Sequence, residues 1–548
     1  MTVQPRTRPP VTPTPARSRR RAMGAYYTPA SPAEFMADWL VRGPEETYLE
    51  PSFGDGVFLE SLHRVLGRRG LEPERVVGVE LDARAVERGR GRGVLEGCTV
   101  VRRNFLEVEP FRVDAVIGNP PYVRLRHLPG GQAATAATAA GRVLPTGVDP
   151  SGSIWMPFVL HSCSFLREGG RLAFVLPYEL TYVRYAQPLW EFLGAHFAAL
   201  RVLHSRRRVF EDILQDVVIL LADGYGGRTA VVDYEQYDGP ADIGAGAWSS
   251  RESLRIRDVV NSERVFRQAL LPAPLRSLLT DHLDARTVPA GEISTLRIGY
   301  VAGDRHFFHP APGEVSRYRL PARHLRPALS SGRQIAGVGL YSSGVPAENR
   351  SRLYHPGARL GAADRAYIAA GEEQGVDQRY KCRIRDPWYV VPGVKVPDFV
   401  VSVFSERPVF TVNDAGLVAS NSLICGYTPP GLDPRSVAAS WYTSLTLLQC
   451  ELEVHSLGGG VLILVPGEAQ RVRVAPPGPP SSSPSSRQYR HLAAVDAALA
   501  ARDVEGAYAA GDDPVLRGSL GLTKADLESV RDGIEVLARW RRSAGRRS

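Results

Sequence analysis

Between Thr47 and Ala222, short apolar runs alternate with stretches in which apolar residues recur every three or four positions. Runs of the first kind predict buried strands, and stretches of the second predict amphipathic helices. Thr47-Tyr-Leu-Glu50 predicts a strand and Pro51-Ser-Phe-Gly-Asp-Gly56 a glycine-bearing turn. The helix after that turn places Phe58, Leu62 and Val65 on one face. Residues 76–82 predict a second strand, and Val113, Ala115, Val116 and Ile117 mark another that ends at Asn119-Pro-Pro-Tyr122. Helices are predicted over 154–167 and 188–198, and strands over 169–177, 201–204 and 216–222. Such alternation over residues 47–222 predicts an α/β fold with a doubly wound, Rossmann-like sheet. Upstream, Ser31-Pro-Ala-Glu34 reads as a capping box opening a helix that buries Phe35, Trp39 and Leu40. Residues 125–152 lack apolar periodicity, are rich in Ala, Thr and Gly, and read as a mobile loop.

After Gly224-Tyr-Gly-Gly227 the alternation stops. Short strand-like pieces, Gly/Pro turns and arginines fill 228–473 and predict a second domain of mixed α/β or mostly β character. The Pro/Ser stretch at 476–486 reads as a linker. Two helices are predicted beyond it, near 488–501 and 526–542. The second starts at Thr523-x-x-Asp526 and aligns Leu527, Val530, Ile534 and Leu537 in a stripe that packs on the body or on a partner. The expected organisation is a disordered basic start over 1–22, a first domain over 23–226, a second over 227–474, a linker over 475–487 and helices over 488–548.

Composition narrows this little. The chain has 44% hydrophobic and 23% charged residues, as soluble globular proteins do, and no apolar run approaches a membrane span. The proline- and arginine-rich start lacks the apolar core of a secretory signal. Five scattered cysteines, an odd number without a Cys-x-x-Cys pair, predict reduced thiols in a cytoplasm, with neither a disulfide framework nor a zinc site. The net charge of +9 misleads. Six arginines in 1–22 and five in 536–548, with no acid in either segment, leave about −2 for everything between. Any nucleic-acid contact must therefore come from local basic clusters.

Candidate chemistry gathers at Asn119–Tyr122. Two prolines fix the backbone and remove two N–H groups, so an amide, the Pro120 carbonyl and an aromatic ring project from one rigid tip. That set suits a planar nitrogen base with an exocyclic amine: Asn119 and Pro120 accept its two hydrogens while Tyr122 stacks on the ring. The plain alternative is a tight Pro-Pro turn closing a strand. Strand, glycine turn and helix over 47–65 let a ligand approach the backbone, but the third glycine of the dinucleotide fingerprint is missing, which disfavours a nicotinamide site. The acid-tipped strand at 76–82 is either a ribose-binding carboxylate or a solvated strand end. Asn104 and Phe105, after a third apolar run, offer an amide for an adenine edge and a ring or backbone contact beside it.

Tyr27-Thr28-Pro29, Glu50-Pro-Ser-Phe-Gly-Asp-Gly56, Glu80 and Asn119-Pro-Pro-Tyr122 occur in an order that resembles the gamma-class adenine-N6 DNA methyltransferases of restriction–modification systems. The resemblance covers roughly residues 24–222. Weaker likeness to segments of their recognition domains extends to Arg383–Tyr389 and Ser456–Leu462. It implies S-adenosylmethionine as cofactor. Glu50 is then expected at the methionine amino group, Gly54 and Gly56 beside the methionine part, Glu80 at the ribose hydroxyls, and Tyr27, Thr28 and Pro29 closing the pocket. Asn104 stands where the family often has Asp, which implies weaker or altered cofactor binding, and Phe105 matches the adjacent aromatic. Phe210 matches an aromatic that packs on the flipped base.

Under that resemblance, adenine is rotated out of the duplex at a cost of a few kcal/mol. A clamp of Tyr122 and Phe210 offsets part of this, since stacking a base on an aromatic is worth roughly 1–3 kcal/mol. Catalytic roles fall to Asn119, Pro120, Tyr122 and Phe210, with no cysteine nucleophile and no metal. Arg124 and Arg126 are expected at phosphates near the flipped nucleotide. Lys381, Arg383 and Arg385 alternate along what reads as a strand or loop edge beside Trp388, facing either DNA or solvent. The implied partner is double-stranded DNA, with a possible separate restriction endonuclease. Methylation of RNA or of a protein glutamine, and a catalytically idle DNA-binding subunit of a defence complex, stay open as alternatives.

Overall fold

The computed structural model describes residues 30–207, 216–456, 461–478 and 491–543. Two units divide the chain, the first holding the described residues up to Ala269 and the second Leu270–Arg542. Tyr27, Thr28, Pro29 and Phe210 lie outside the described residues, as do 457–460 and most of the proline-serine stretch.

The first unit is built on a nine-stranded sheet. Its strands are β1 (Thr47–Glu50), β2 (Arg75–Val79), β3 (Cys98–Val101), β4 (Val113–Gly118), β5 (Leu166–Pro177), β6 (Phe197–Ser205), β7 (Val217–Tyr225), β8 (Val231–Tyr237) and β9 (Ser250–Arg255). They lie in the order β3-β2-β1-β4-β5-β7-β6-β8-β9. β3, β2, β1, β4 and β5 run parallel, and β7 is antiparallel to both β5 and β6. From β1 the chain moves outward through β2 to β3, then returns to lay β4 on the other side of β1. The order therefore reverses between β1 and β4, where open α/β sheets leave a crevice at their strand carboxyl ends.

Helices α1 (Ala30–Leu40) and α2 (Val57–Arg69) share one core with β1, β4, β5 and β7. α2 buries Phe58, Leu59, Leu62, Val65 and Leu66, each worth roughly 1.5–3 kcal/mol when fully removed from water. It ends where Gly70 adopts φ +63° and donates back into the last turn, with Arg68 and Arg69 complementing the helix dipole. α1 buries Ala33, Met36, Ala37 and Leu40, while Phe35 and Trp39 are only half-buried.

Three expectations are corrected. Residues 125–152 are not a loop: Gln132–Gly141 is helical and buries Ala136, Ala139 and Ala140, small residues that permit close packing without an obvious apolar stripe. The sheet does not stop at 226. β8 pairs with β6 and β9 with β8, so the first unit runs on to Ala269. Alternating polar residues on these two edge-side strands hid their apolar pattern. The C-terminal helices are not a separate domain either. Leu492–Ala500, Val504–Ala509 and Lys524–Ser543 contribute Val495, Leu499, Leu527, Val530, Ile534 and Leu537 to the main core of the second unit.

That second unit combines its helices with small sheets, the largest of four strands in the order Thr295–Ile298, Leu423–Tyr427, Phe399–Ser402, Phe410–Val412. The final helix opens as its sequence predicts, with Thr523 and Asp526 exchanging backbone N–H bonds at 2.9 and 3.1 Å. All five cysteines are free thiols, four of them buried. Among the described residues, no helix is long and apolar enough to cross a membrane.

Candidate functional site at the strand carboxyl edge

The Pro51–Gly56 turn leaves β1 at the point where the strand order reverses. Phe53 closes it onto β2: its N–H donates to Val79 at 3.1 Å, and its ring occupies the space beside Gly78, where an added Cβ would sit 2.9 Å away. Gly54 and Gly56 both adopt positive φ, +53° and +79°, which explains the residue type. The Gly54 N–H donates to Glu80 Oε2 at 2.9 Å, and the Asp82 N–H donates to Glu80 Oε1 at 2.7 Å. Glu80 thus ties the tip of β2 to the glycine turn.

Glu50 ends β1 and is 1% exposed. Its Oε2 has no hydrogen-bond partner. Burial pushes the carboxyl well above the ordinary carboxylate range, a backbone hydrogen bond from Leu59 opposes the shift, and the Glu80 charge adds to it. A buried, half-satisfied carboxyl is costly without a compensating donor. An ammonium group from a ligand would supply that donor.

Beside this turn stands the tip of β4. β1 and β4 pair in register at Tyr48↔Ala115 and Leu49↔Val116. Gly118 lies against the turn, since a Cβ there would sit 3.3 Å from Pro51 Cδ, and Ser52 Oγ approaches the Asn119 carbonyl at 3.5 Å. Tyr122 is half-buried, and its hydroxyl lies 2.6 Å from Asn119 Oδ1 and 3.1 Å from the Val175 carbonyl on β5. Pro120 is buried behind them. One turn and one strand tip are thereby joined into a single constellation of Glu50, Gly54, Gly56, Glu80, Asn119 and Tyr122.

Other predicted residues have different surroundings. Asn104 caps a short 3-10 turn, accepting from the Leu106 N–H at 3.2 Å and donating to Glu107 at 3.3 Å. Phe105 is 2% exposed, with its ring 4.8–5.4 Å from the rings of Phe158, His161 and Phe165. Its ring is therefore part of the hydrophobic core. Arg124 pairs with Glu179 at 2.9 Å and lies over Tyr185, whereas Arg126 is exposed. Glu179 was not singled out from sequence, yet it also accepts from Trp155 Nε1 at 2.9 Å and Tyr185 Oη at 2.6 Å. Its signal was position: an acid two residues past the end of β5, next to the strand that carries Asn119.

In the second unit, Lys381, Arg383 and Arg385 do not alternate along a strand edge. Tyr380–Arg383 is a short helix. Lys381 and Arg383 are exposed, while Arg385 turns inward, donating to the Ala302 carbonyl at 2.8 Å and to that of Val301. Burial lowers the pKa of Arg385. Trp388 is half-buried, its ring 4.9 Å from that of Phe307.

Residues 101–210 match the model of the Eco57I restriction-modification methylase, and residues 263–516 match that of the C-terminal domain of type II methyltransferase M.Eco57I. Together the two matches span well over half of the chain. The chain belongs to the Eco57I restriction-modification methylase family. The family likeness is also long-range: type II methyltransferase M.XamI of Xanthomonas campestris pv. amaranthicola is 25% identical over 491 residues, covering 84% of this chain and 86% of that one. M.BstVI of Geobacillus stearothermophilus is 31% identical over 181 residues, 27% of this chain and 31% of that one. M.HincII of Haemophilus influenzae is 25% identical over 205 residues, so the chain spans only about a third of the length of M.BstVI (31%) and of M.HincII (37%). Among solved structures, the type IIL restriction-modification enzyme MmeI in complex with DNA shares the family fold with a TM-score of 0.51 at 13% identity. That match covers 90% of this chain and 73% of MmeI.

Proposed function

We propose that this family member is a site-specific DNA methyltransferase that uses S-adenosylmethionine to methylate the N6 amine of a flipped adenine, within restriction–modification or phage defence. One observation carries the reading: the glycine turn of β1 and the Asn119–Tyr122 tip of β4 abut at the sheet's switch point, through Pro51 on Gly118 and Ser52 on Asn119. A ligand seated on the turn is then beside the group that holds a base.

The residues fit that cofactor. Glu50 offers a buried, unpartnered oxygen for the amino group, and the positive-φ glycines leave the turn without side chains. Glu80 keeps acceptor capacity on each oxygen beyond its bond to a backbone N–H, which suits ribose hydroxyls. When bound, S-adenosylmethionine supplies an electrophilic methyl group.

Asn119 Oδ1 has two lone pairs, of which the Tyr122 hydroxyl takes one. The other accepts one hydrogen of the adenine amine, and the Pro120 carbonyl accepts the second. Holding both hydrogens in the acceptors' plane draws the nitrogen lone pair out of the ring and makes it nucleophilic. Tyr122 supplies the stacking face, and Phe210 is proposed as its counterpart. The contribution is chiefly positioning, because no proton need leave before the methyl group arrives. Exposed Arg126 is proposed at a phosphate, and the second unit is proposed to read the target sequence.

Tritium transfer from labelled S-adenosylmethionine to DNA, RNA and protein tests the reading, followed by sequencing of modified bases in a host expressing the chain. Label in DNA as N6-methyladenine at one sequence supports it. Label confined to RNA or protein, or in cytosine, overturns it.

A further inference from the structure

The segment 379–385 of the second unit is held rigidly from below and loaded on its outer side. Cys382 is fully buried, and its sulfur would sit 3.0 Å from a Cβ at Gly303. Arg379 pairs with buried Asp304, and Arg385 grips the carbonyls of Val301 and Ala302. Three anchors therefore fasten this turn to the loop 301–304.

What it presents outward is unusual for a protein surface. Tyr380 is 65% exposed and Ile384 60%, two of the most solvated large apolar side chains of the described residues, four positions apart. Tyr380 opens the short helix and Ile384 is the residue that ends it. Lys381 and Arg383 stand exposed between them, and neither enters an ion pair with a described residue. The Lys381 ammonium instead lies 5.3 Å from the Tyr380 ring centre. Exposed Asp386 marks the acidic limit of the patch.

The patch joins apolar area in water to cations that have no anionic partner among the described residues. A duplex matches both at once, because its stacked bases accept apolar side chains between steps and its phosphates flank the insertion point. A protein partner would require carboxylates placed beside an apolar pocket, whereas the paired charge in DNA lies on both sides of every step. We propose that the turn Tyr380–Ile384 is a wedge that enters double-stranded DNA, with Tyr380 and Ile384 inserted at a base step and Lys381 and Arg383 on the adjoining phosphates. This rests on DNA being the substrate.

Full-length chain is tested on short random-sequence duplexes, following affinity by polarisation at several salt concentrations and bending by end-to-end energy transfer. Wild type is expected to bind and bend. Tyr380→Ala/Ile384→Ala should lose about tenfold in affinity, together with the bend, at an unchanged salt slope. Tyr380→Phe should keep both. Lys381→Ala/Arg383→Ala should flatten the slope of log affinity against log salt by roughly 2, about 0.9 for each phosphate released. All four side chains are exposed, so thermal midpoints should match wild type. Wild-type binding and bending retained by the Tyr380→Ala/Ile384→Ala variant overturns the wedge alone. Absence of duplex binding by wild type overturns the reading of DNA as substrate, and the wedge with it.

Discussion

The Tyr122 hydroxyl donates to the amide oxygen of Asn119 across 2.6 Å, so the ring expected to hold a base also orients the group expected to accept its amine. Ring and hydroxyl have separable roles. Asn119→Ala is expected to abolish methyl transfer, by at least the roughly 10²–10³-fold that loss of one preorganised polar contact costs elsewhere, with cofactor affinity by calorimetry largely kept. Equal loss of both would assign Asn119 to the cofactor instead.

Tyr122→Phe keeps the ring and releases the amide. Turnover should fall by roughly tenfold, the value of one hydrogen bond of about 1.4 kcal/mol, at little change in KM for DNA. Tyr122→Ala should also lower the fluorescence of 2-aminopurine placed at the target. Unchanged fluorescence in the alanine variant would remove the stacking role.

Glu50 is expected to couple proton and cofactor binding. Its folded-state pKa lies well above the ordinary 4.5, so the folded chain binds this proton more readily than the unfolded chain. The resulting stability is present at low pH and is lost as pH rises from 4.5 through the raised value. Glu50→Gln should flatten this dependence and raise the cofactor-free thermal midpoint at neutral pH, while abolishing cofactor binding. Scanning calorimetry across pH checks the first outcome. Cofactor binding to wild type should release protons, read as a binding heat that varies with buffer ionisation enthalpy.

Gly56 combines φ +79° with a Val94 methyl 3.2 Å from the position of a Cβ. Gly56→Ala is expected to cost about 1–2 kcal/mol from the left-handed backbone alone, seen in the denaturant midpoint, together with loss of cofactor affinity. A variant as stable and as tight as wild type would show that the turn can rearrange.

Arg385 and its neighbours should separate cleanly. Arg385→Ala strands two backbone carbonyls and is expected to destabilise the second unit by about 1–3 kcal/mol. Lys381→Ala and Arg383→Ala should leave stability unchanged. Hydrogen exchange over residues 299–310 is the direct readout, since the loop that Arg385 holds lies there.

Much of this was legible in the chain. Strand runs such as Ala115–Gly118 are apolar because they are buried, and α2 declares itself through Phe58, Leu62 and Val65 at helical spacing. Glycines at 54 and 56 and the Pro-Pro tip at 120–121 are local backbone requirements, and local requirements are written residue by residue.

What only the tertiary structure decided is which side chains find each other. Periodicity cannot say that Arg385 faces carbonyls while Arg383 faces water, because the two are alike in chemistry and differ only in what packs beneath them. Nor could it extend the sheet to β8 and β9, whose burial depends on a neighbouring strand more than on their own composition. The element types and the residues of the Asn119 tip came from the order of amino acids. Their meeting with Glu50 and the glycine turn came from the β1–β4 pairing, a contact between positions some 67 residues apart that no local pattern encodes.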